Sequence, residues 1–152
     1  LYSLAWVPWL SELRAALAGL PADRQRVLGA QFAKSVIALN RDERVARAVE
    51  TGLNIEASPA EMEDAFRAAK GYATKTYTDC GKDTDWLAQA DHFVAAAAAA
   101  ALSQDAGDRQ NRAWKAAVQA RMAGNCAQME DEQGELEGEA GRQYRIAETY
   151  LG

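Results

Sequence analysis

His92 to Asp105 reads HFVAAAAAAALSQD, with alanine at every position from Ala95 to Ala101. Alanine is the strongest helix former but brings the least bulk to bury. At 100° per residue, Trp86, Ala90, Phe93, Val94, Ala97, Ala101 and Leu102 share one broad face, and Asp85, Gln89 and His92 lie opposite. Past His92 the opposite face is filled by Ala96 and Ala99, so the segment turns apolar all round. Such a helix is contacted on several sides. Side chains this small let neighbouring backbones approach to the short end of the usual ~8–10 Å spacing. A bilayer span needs roughly 20 apolar residues, and this stretch is far shorter. It predicts the central helix of a bundle.

Helix signals continue in both directions. Asp83 or Thr84 is the expected N-cap of the alanine helix, and Ala106-Gly107 closes it. Asp108 then opens a long helix with Trp114, Val118, Met122, Cys126 and Met129 on its expected core face. The same rhythm runs through Leu136, Ala140, Tyr144 and Ala147. One helix from Asp108 to Tyr150 would be roughly 64 Å long at ~1.5 Å per residue. Gly134, Gly138 and Gly141 predict a kink or turn over residues 134–141.

Upstream, Ser58-Pro59-Ala60-Glu61 is a capping box with proline at the first helical position. The helix it opens carries Met62, Phe66, Ala69 and Ala73 towards Tyr77, and Cys80-Gly81 ends it. Pro8 opens a first helix with Leu13 and Leu17 on one stripe, closed by Gly19. Pro21 opens a second, with Leu28, Phe32, Val36 and Leu39. That rhythm fails at Asp42 and Glu43. Asn40 is the expected cap of a short third helix bearing Val45 and Val49, with Gly52 as its left-handed stop.

At 152 residues, with 49% hydrophobic residues and three prolines, the chain suits one helical domain. The fold class is therefore all-α: an antiparallel bundle of five to six helices around the alanine-rich one. Residues 1–7 form an N-terminal arm, read as packed on the core, although Tyr2, Trp6 and Trp9 also suit a membrane-proximal or docking segment. A net charge of −5 argues against nucleic acid as partner. The start at Leu1 neither indicates nor excludes export.

Cys80 and Cys126 are the two cysteines. If the helices after Thr84 and Asp108 form an antiparallel hairpin, the chain descends ~31 Å and climbs back ~27 Å. Cys126 then returns near the level of Cys80, which predicts a Cys80–Cys126 disulfide. Closing that loop contributes about 4 kcal/mol on the chain-entropy account. It implies an oxidising compartment, so the expected location is periplasmic or secreted. The competing reading is two small apolar residues that never meet.

Chemistry is harder to find. His92 is the sole imidazole and falls on an expected solvent face, with no CxxC or HxxxH spacing nearby, so neither a metal site nor a cofactor is expected. Phosphate-loop, dinucleotide, EF-hand, di-iron and haem-attachment patterns are absent. Glu61 and Asp64 share a face but read as first-turn charge on a helix dipole. No catalytic residues are assigned, and an enzyme is not expected.

What stands out is MEDEQGELEGEAG, Met129 to Gly141. Glu130, Asp131, Glu132, Glu135, Glu137 and Glu139, with Tyr144 beyond, form an acidic edge suited to docking in a basic cleft of another protein. The competing reading is a solvated helix end. The expectation is a small exported bacterial binding protein acting by protein–protein contact, of the inhibitor or immunity type. The alternative is a ligand-sensing helical domain of a membrane receptor.

Overall fold

A computed structural model describes residues 12–77, 85–105, 107–130 and 146–147. Among the described residues every regular element is helical. Residues 12–18 form α1; the others are α2 (Ala22–Ser35), α3 (Glu43–Leu53), α4 (Pro59–Thr76), α5 (Trp86–Leu102) and α6 (Arg112–Glu130). Single 3₁₀ turns at Ile37–Leu39 and Arg109–Asn111 precede α3 and α6. The N-terminal arm at 1–7 and the turn expected over 134–141 lie outside the described residues.

The alanine helix is central, as its pattern requires. α5 packs against α6, α4, α2 and α3. Most of the bulk comes from the first half of the chain, where Leu17, Leu28, Phe32, Val36, Val45 and Val49 are buried, with Val94 and Leu102 added from α5. Fully burying side chains of this size stabilises by roughly 1.5–3 kcal/mol each. The contribution of α5 and α6 is different: Ala97, Ala98 and Ala101 on one, and Ala113, Ala116, Ala117 and Ala120 on the other, are all buried. Each methyl removes little surface from water. The gain lies in dispersion between closely approaching backbones.

That packing turns the expected face of α6 only in part: Cys126 is buried and Trp114 packs on the core as expected, but the two methionines are outside. Met122 and Met129 are 41% and 58% exposed, while the alanines and Cys126 point inward. Where the partner helix is alanine-lined, a methionine at the seam would hold the helices apart. Gln89, expected outside, is also buried. Ala147 rejoins the core, with Ile146 packed against it.

Helix ends show where local signals held. Ser58 Oγ accepts from the Glu61 N–H at 3.1 Å, and the Glu61 carboxylate accepts from the Ser58 N–H at 2.9 Å, the reciprocal cap read from the sequence. Asn40 is not the cap of α3. Its amide donates to Asp91 Oδ1 on α5 at 2.9 Å, so capping moves to Asp42, which accepts from the Arg44 N–H at 2.8 Å. Nor does Gly52 stop α3, which runs on to Leu53. A Cβ at Gly52 would lie 2.9 Å from Ala30 Cβ, so glycine serves close packing there. Asp85, not Asp83 or Thr84, caps α5 by accepting from the Ala88 N–H at 3.0 Å. α6 begins at Arg112 rather than Asp108, after the 3₁₀ turn.

Buried polar side chains tie distant ends together. Gln25, fully buried, donates to the Leu17 carbonyl at the end of α1 and to the Gln110 carbonyl at 3.1 Å. Its Oε1 accepts from the Ala113 N–H at 3.0 Å, in the first turn of α6. Arg112 donates to the Ser103 carbonyl at 3.2 Å and to the Ala22 carbonyl at 2.6 Å. Gln25 thereby serves the Ala113 N–H at the start of α6 and Arg112 the Ser103 carbonyl just past α5, groups that helix termini leave unpaired.

Candidate functional site

α4 and α6 both pack along α5, and between them one face of α5 forms the floor of a groove of about 990 Å³. Phe93, Ala96, Ala100 and Ser103 recur every three or four residues along that floor, with Ala99 beside them. Phe66, Lys70, Ala73 and Tyr77 make the α4 wall with the same rhythm. Trp114, Lys115, Val118 and Gln119 make the α6 wall, and Arg14 closes in from α1. The volume falls at the upper end of the ~300–1,000 Å³ common for binding clefts.

The groove has an apolar floor and a cationic rim. The Arg14 guanidinium lies 5.5 Å from the centre of the Trp114 ring, and that of Arg121 lies 5.9 Å from it. Such contacts hold a flexible cation against a wall. Lys115 pairs with Asp108, which also accepts from Ser103 Oγ at 3.1 Å. The hydrogen bond from Lys115 holds the Asp108 carboxyl below its usual range. Arg14 and Lys70 have no acidic partner among the described residues.

His92 is not on a solvent face. It is half-buried at one end of the groove, edge-on to Tyr77 and Phe93 at ring-centre distances of 5.8 and 5.2 Å. Its Nδ1 is 3.3 Å from Thr76 Oγ1. Burial pushes its pKa down, opposed by a hydrogen bond to the Ala73 backbone and by the charge of Asp91. The imidazole is thus biased towards its neutral form.

Its neighbour Asp91 faces the other way, into a polar knot. Its carboxyl accepts from Asn40 Nδ2 at 2.9 Å, the Arg41 N–H at 2.8 Å and Tyr72 Oη at 2.6 Å. Burial and then this hydrogen bond push the Tyr72 phenol up to about 12. The knot joins α5 to α4 and to the α2–α3 link, and it supports the groove from behind.

No known protein family, characterised protein or solved structure matches this chain.

The residues expected to act are placed as follows. Glu130, the last residue of α6, is exposed; Asp131, Glu132, Glu135, Glu137, Glu139 and Tyr144 lie outside the described residues. Cys126 is buried on α6, and Cys80 lies outside the described residues. The expected bridge therefore gains no support. Among the described residues no three His, Cys, Asp or Glu side chains gather as metal ligands, and no helix is long and apolar enough to cross a membrane. The sequence reading missed Arg14, Lys70 and the groove role of Trp114. A signal existed on α4, where Phe66 and Ala73 belong both to the core stripe and to a second stripe through Lys70 and Tyr77.

Proposed function

We propose that this chain is a binding protein acting by contact, which takes an amphipathic helical segment of a partner protein into the groove over α5. The observation that carries the reading is the small-residue floor of Ala96, Ala100 and Ser103 between walls bearing Phe66 and Trp114. An incoming helix can approach such a floor closely while its larger side chains reach the aromatic walls, the helix-in-groove mode of recognition. The reading is of a contact protein rather than an enzyme. Its specific form is an exported inhibitor or immunity-type protein. Export rests on the Cys80–Cys126 bridge alone, and the acidic run from Glu130 to Glu139 is a separate proposed contact with a basic cleft.

The test is a titration of isotope-labelled protein with a helical peptide bearing an alanine–leucine face and an uncharged polar face. Saturable amide shifts centred on Ala96, Ala100 and Val118 are expected. They should be lost in Ala96→Arg and Val118→Arg, both at partly exposed positions and both checked for native helicity. Shifts that never saturate, or that survive both plugs, would remove the groove as the docking surface.

A further inference from the structure

We infer, resting on the groove reading above, that the partner segment is acidic along one flank and sets carboxylates against Arg14 and Lys70. The charge pattern carries this. The chain as a whole is acidic, with 22 Asp and Glu against 17 Lys and Arg. Elsewhere three of its surface cations find acidic partners, Lys34 with Glu50, Arg44 with Asp42 and Arg67 with Glu63, and Arg24, Arg41, Arg47 and Lys75 stand exposed without one among the described residues, so what marks the groove is its charge balance. In the groove the balance reverses. Arg14, Lys70 and Lys115 line it, with Asp108 as the one acidic side chain among the described lining residues, and Asp108 is held by Lys115.

Two cations without acidic partners therefore flank an apolar floor in a protein whose charge is otherwise negative. Arg14 is also braced on Trp114. A braced guanidinium loses less freedom when its planar fork meets a carboxylate. Lys70, exposed on the α4 wall, supplies a second point charge on a flexible stem. A basic segment would meet these cations as like charges, so the groove selects against it as well as for its opposite.

The occupant is thus an amphipathic helix with small or apolar residues facing Ala96 and Ala100 and with Glu or Asp on one edge. Three fluorescent peptides test this, identical in their alanine–leucine face and carrying two Glu, two Gln or two Lys at the flank. They are titrated against the full chain and its Lys70→Glu variant, with dodecanoate as competitor and sedimentation velocity of the protein alone. The Glu peptide should bind most tightly. The Gln peptide should be about three- to tenfold weaker, as the loss of two part-exposed ion pairs implies. The Lys peptide should be weaker still, Lys70→Glu should invert the order, and added salt should compress the differences.

Equal binding of all three peptides, unaltered in Lys70→Glu, would overturn the acidic-flank inference and leave the groove standing. Binding of none would overturn the groove reading itself. A dimer that Lys70→Glu dissolves would make a second copy the occupant, and displacement by dodecanoate without any flank preference would make it a small amphiphile. Either result overturns the inference.

Discussion

Gly29 offers the sharpest test of close packing around the alanine helix. It lies in the middle of α2, buried, where a Cβ would sit 2.9 Å from Ala101 Cβ, 3.3 Å from Ala101 Cα and 3.3 Å from Ala116 Cβ. Carbon atoms prefer ~3.5–4.0 Å. Neither obstructing alanine has a rotamer through which to yield, so α2 must retreat from α5 and α6 by roughly 0.6 Å to restore contact distance. Overpacking of this kind costs about 1–3 kcal/mol. The better helix propensity of alanine returns about 0.8–1 kcal/mol. Gly29→Ala should therefore lose up to about 2 kcal/mol, and gain nothing, despite being the change that helix propensity recommends. Gly71 is the control: it is exposed in α4, and its added Cβ would meet nothing within 4 Å. Gly71→Ala should gain roughly 0.5–1 kcal/mol. Urea unfolding followed at 222 nm measures both, with an unchanged slope showing that the same surface is exposed. A Gly29→Ala protein stabilised as much as Gly71→Ala would mean that the helices are not in close contact there, and the account of α5 would fail.

Asp91→Ala should cost about 3 kcal/mol or more, because it strands the buried or half-buried donors of Tyr72, Asn40 and Arg41; a urea midpoint close to wild type would show that water replaces the carboxyl. Asp42 gives a pH test. Its hydrogen bonds with Arg44 hold it at about 2 against an ordinary 3.8. The folded value is the lower one, so the stabilisation is present above about 3.8 and is lost as pH falls through about 2. Melting temperatures of wild type and Asp42→Asn should converge across that window, and parallel curves would refute the assignment. Mass spectrometry after alkylating denatured protein from an oxidising compartment should show two alkyl groups only after reduction, if Cys80 and Cys126 pair; two without reductant would remove the bridge and the argument for export with it. Charge reversal across Glu130 to Glu139 should abolish binding to a basic partner surface, measured by co-purification, and unchanged binding would remove that edge from the proposal.

How far the sequence could be read depended on whether a signal was local. The Ser58–Glu61 box is complete within four residues, and the structure shows both of its hydrogen bonds. The all-round apolar character of residues 93–102 likewise required a central helix, and α5 is central. Signals that depended on neighbours were misread. Asn40 has the chemistry of a cap, but Asp91 claims its amide. Gly52 has the chemistry of a helix stop, but Ala30 comes so near that only glycine fits within the helix. On α6 the three-to-four-residue rhythm places Cys126 and Trp114 correctly but not Met122 and Met129, because the seam against alanine-lined α5 admits small side chains. The groove draws Arg14, Lys70, Phe93 and Trp114 from four helices, and no pattern along any one of them reports the juxtaposition.

The amide of Gln25 has a consequence for the order in which the chain can be completed. Its carbonyl oxygen meets the Ala113 N–H across 88 positions of sequence. At ~5–20 residues per second, a ribosome needs roughly 4–18 s to deliver that partner after Gln25 is made. Until then that carbonyl oxygen, which belongs at the centre of the molecule, has only water to bond, and α2 has reason to stay loose. The first and last thirds of the protein are thereby fastened by one small latch, so that neither half reaches its final form ahead of the other. The exchange of the Ala113 amide with solvent should accordingly keep time with the opening of the whole molecule.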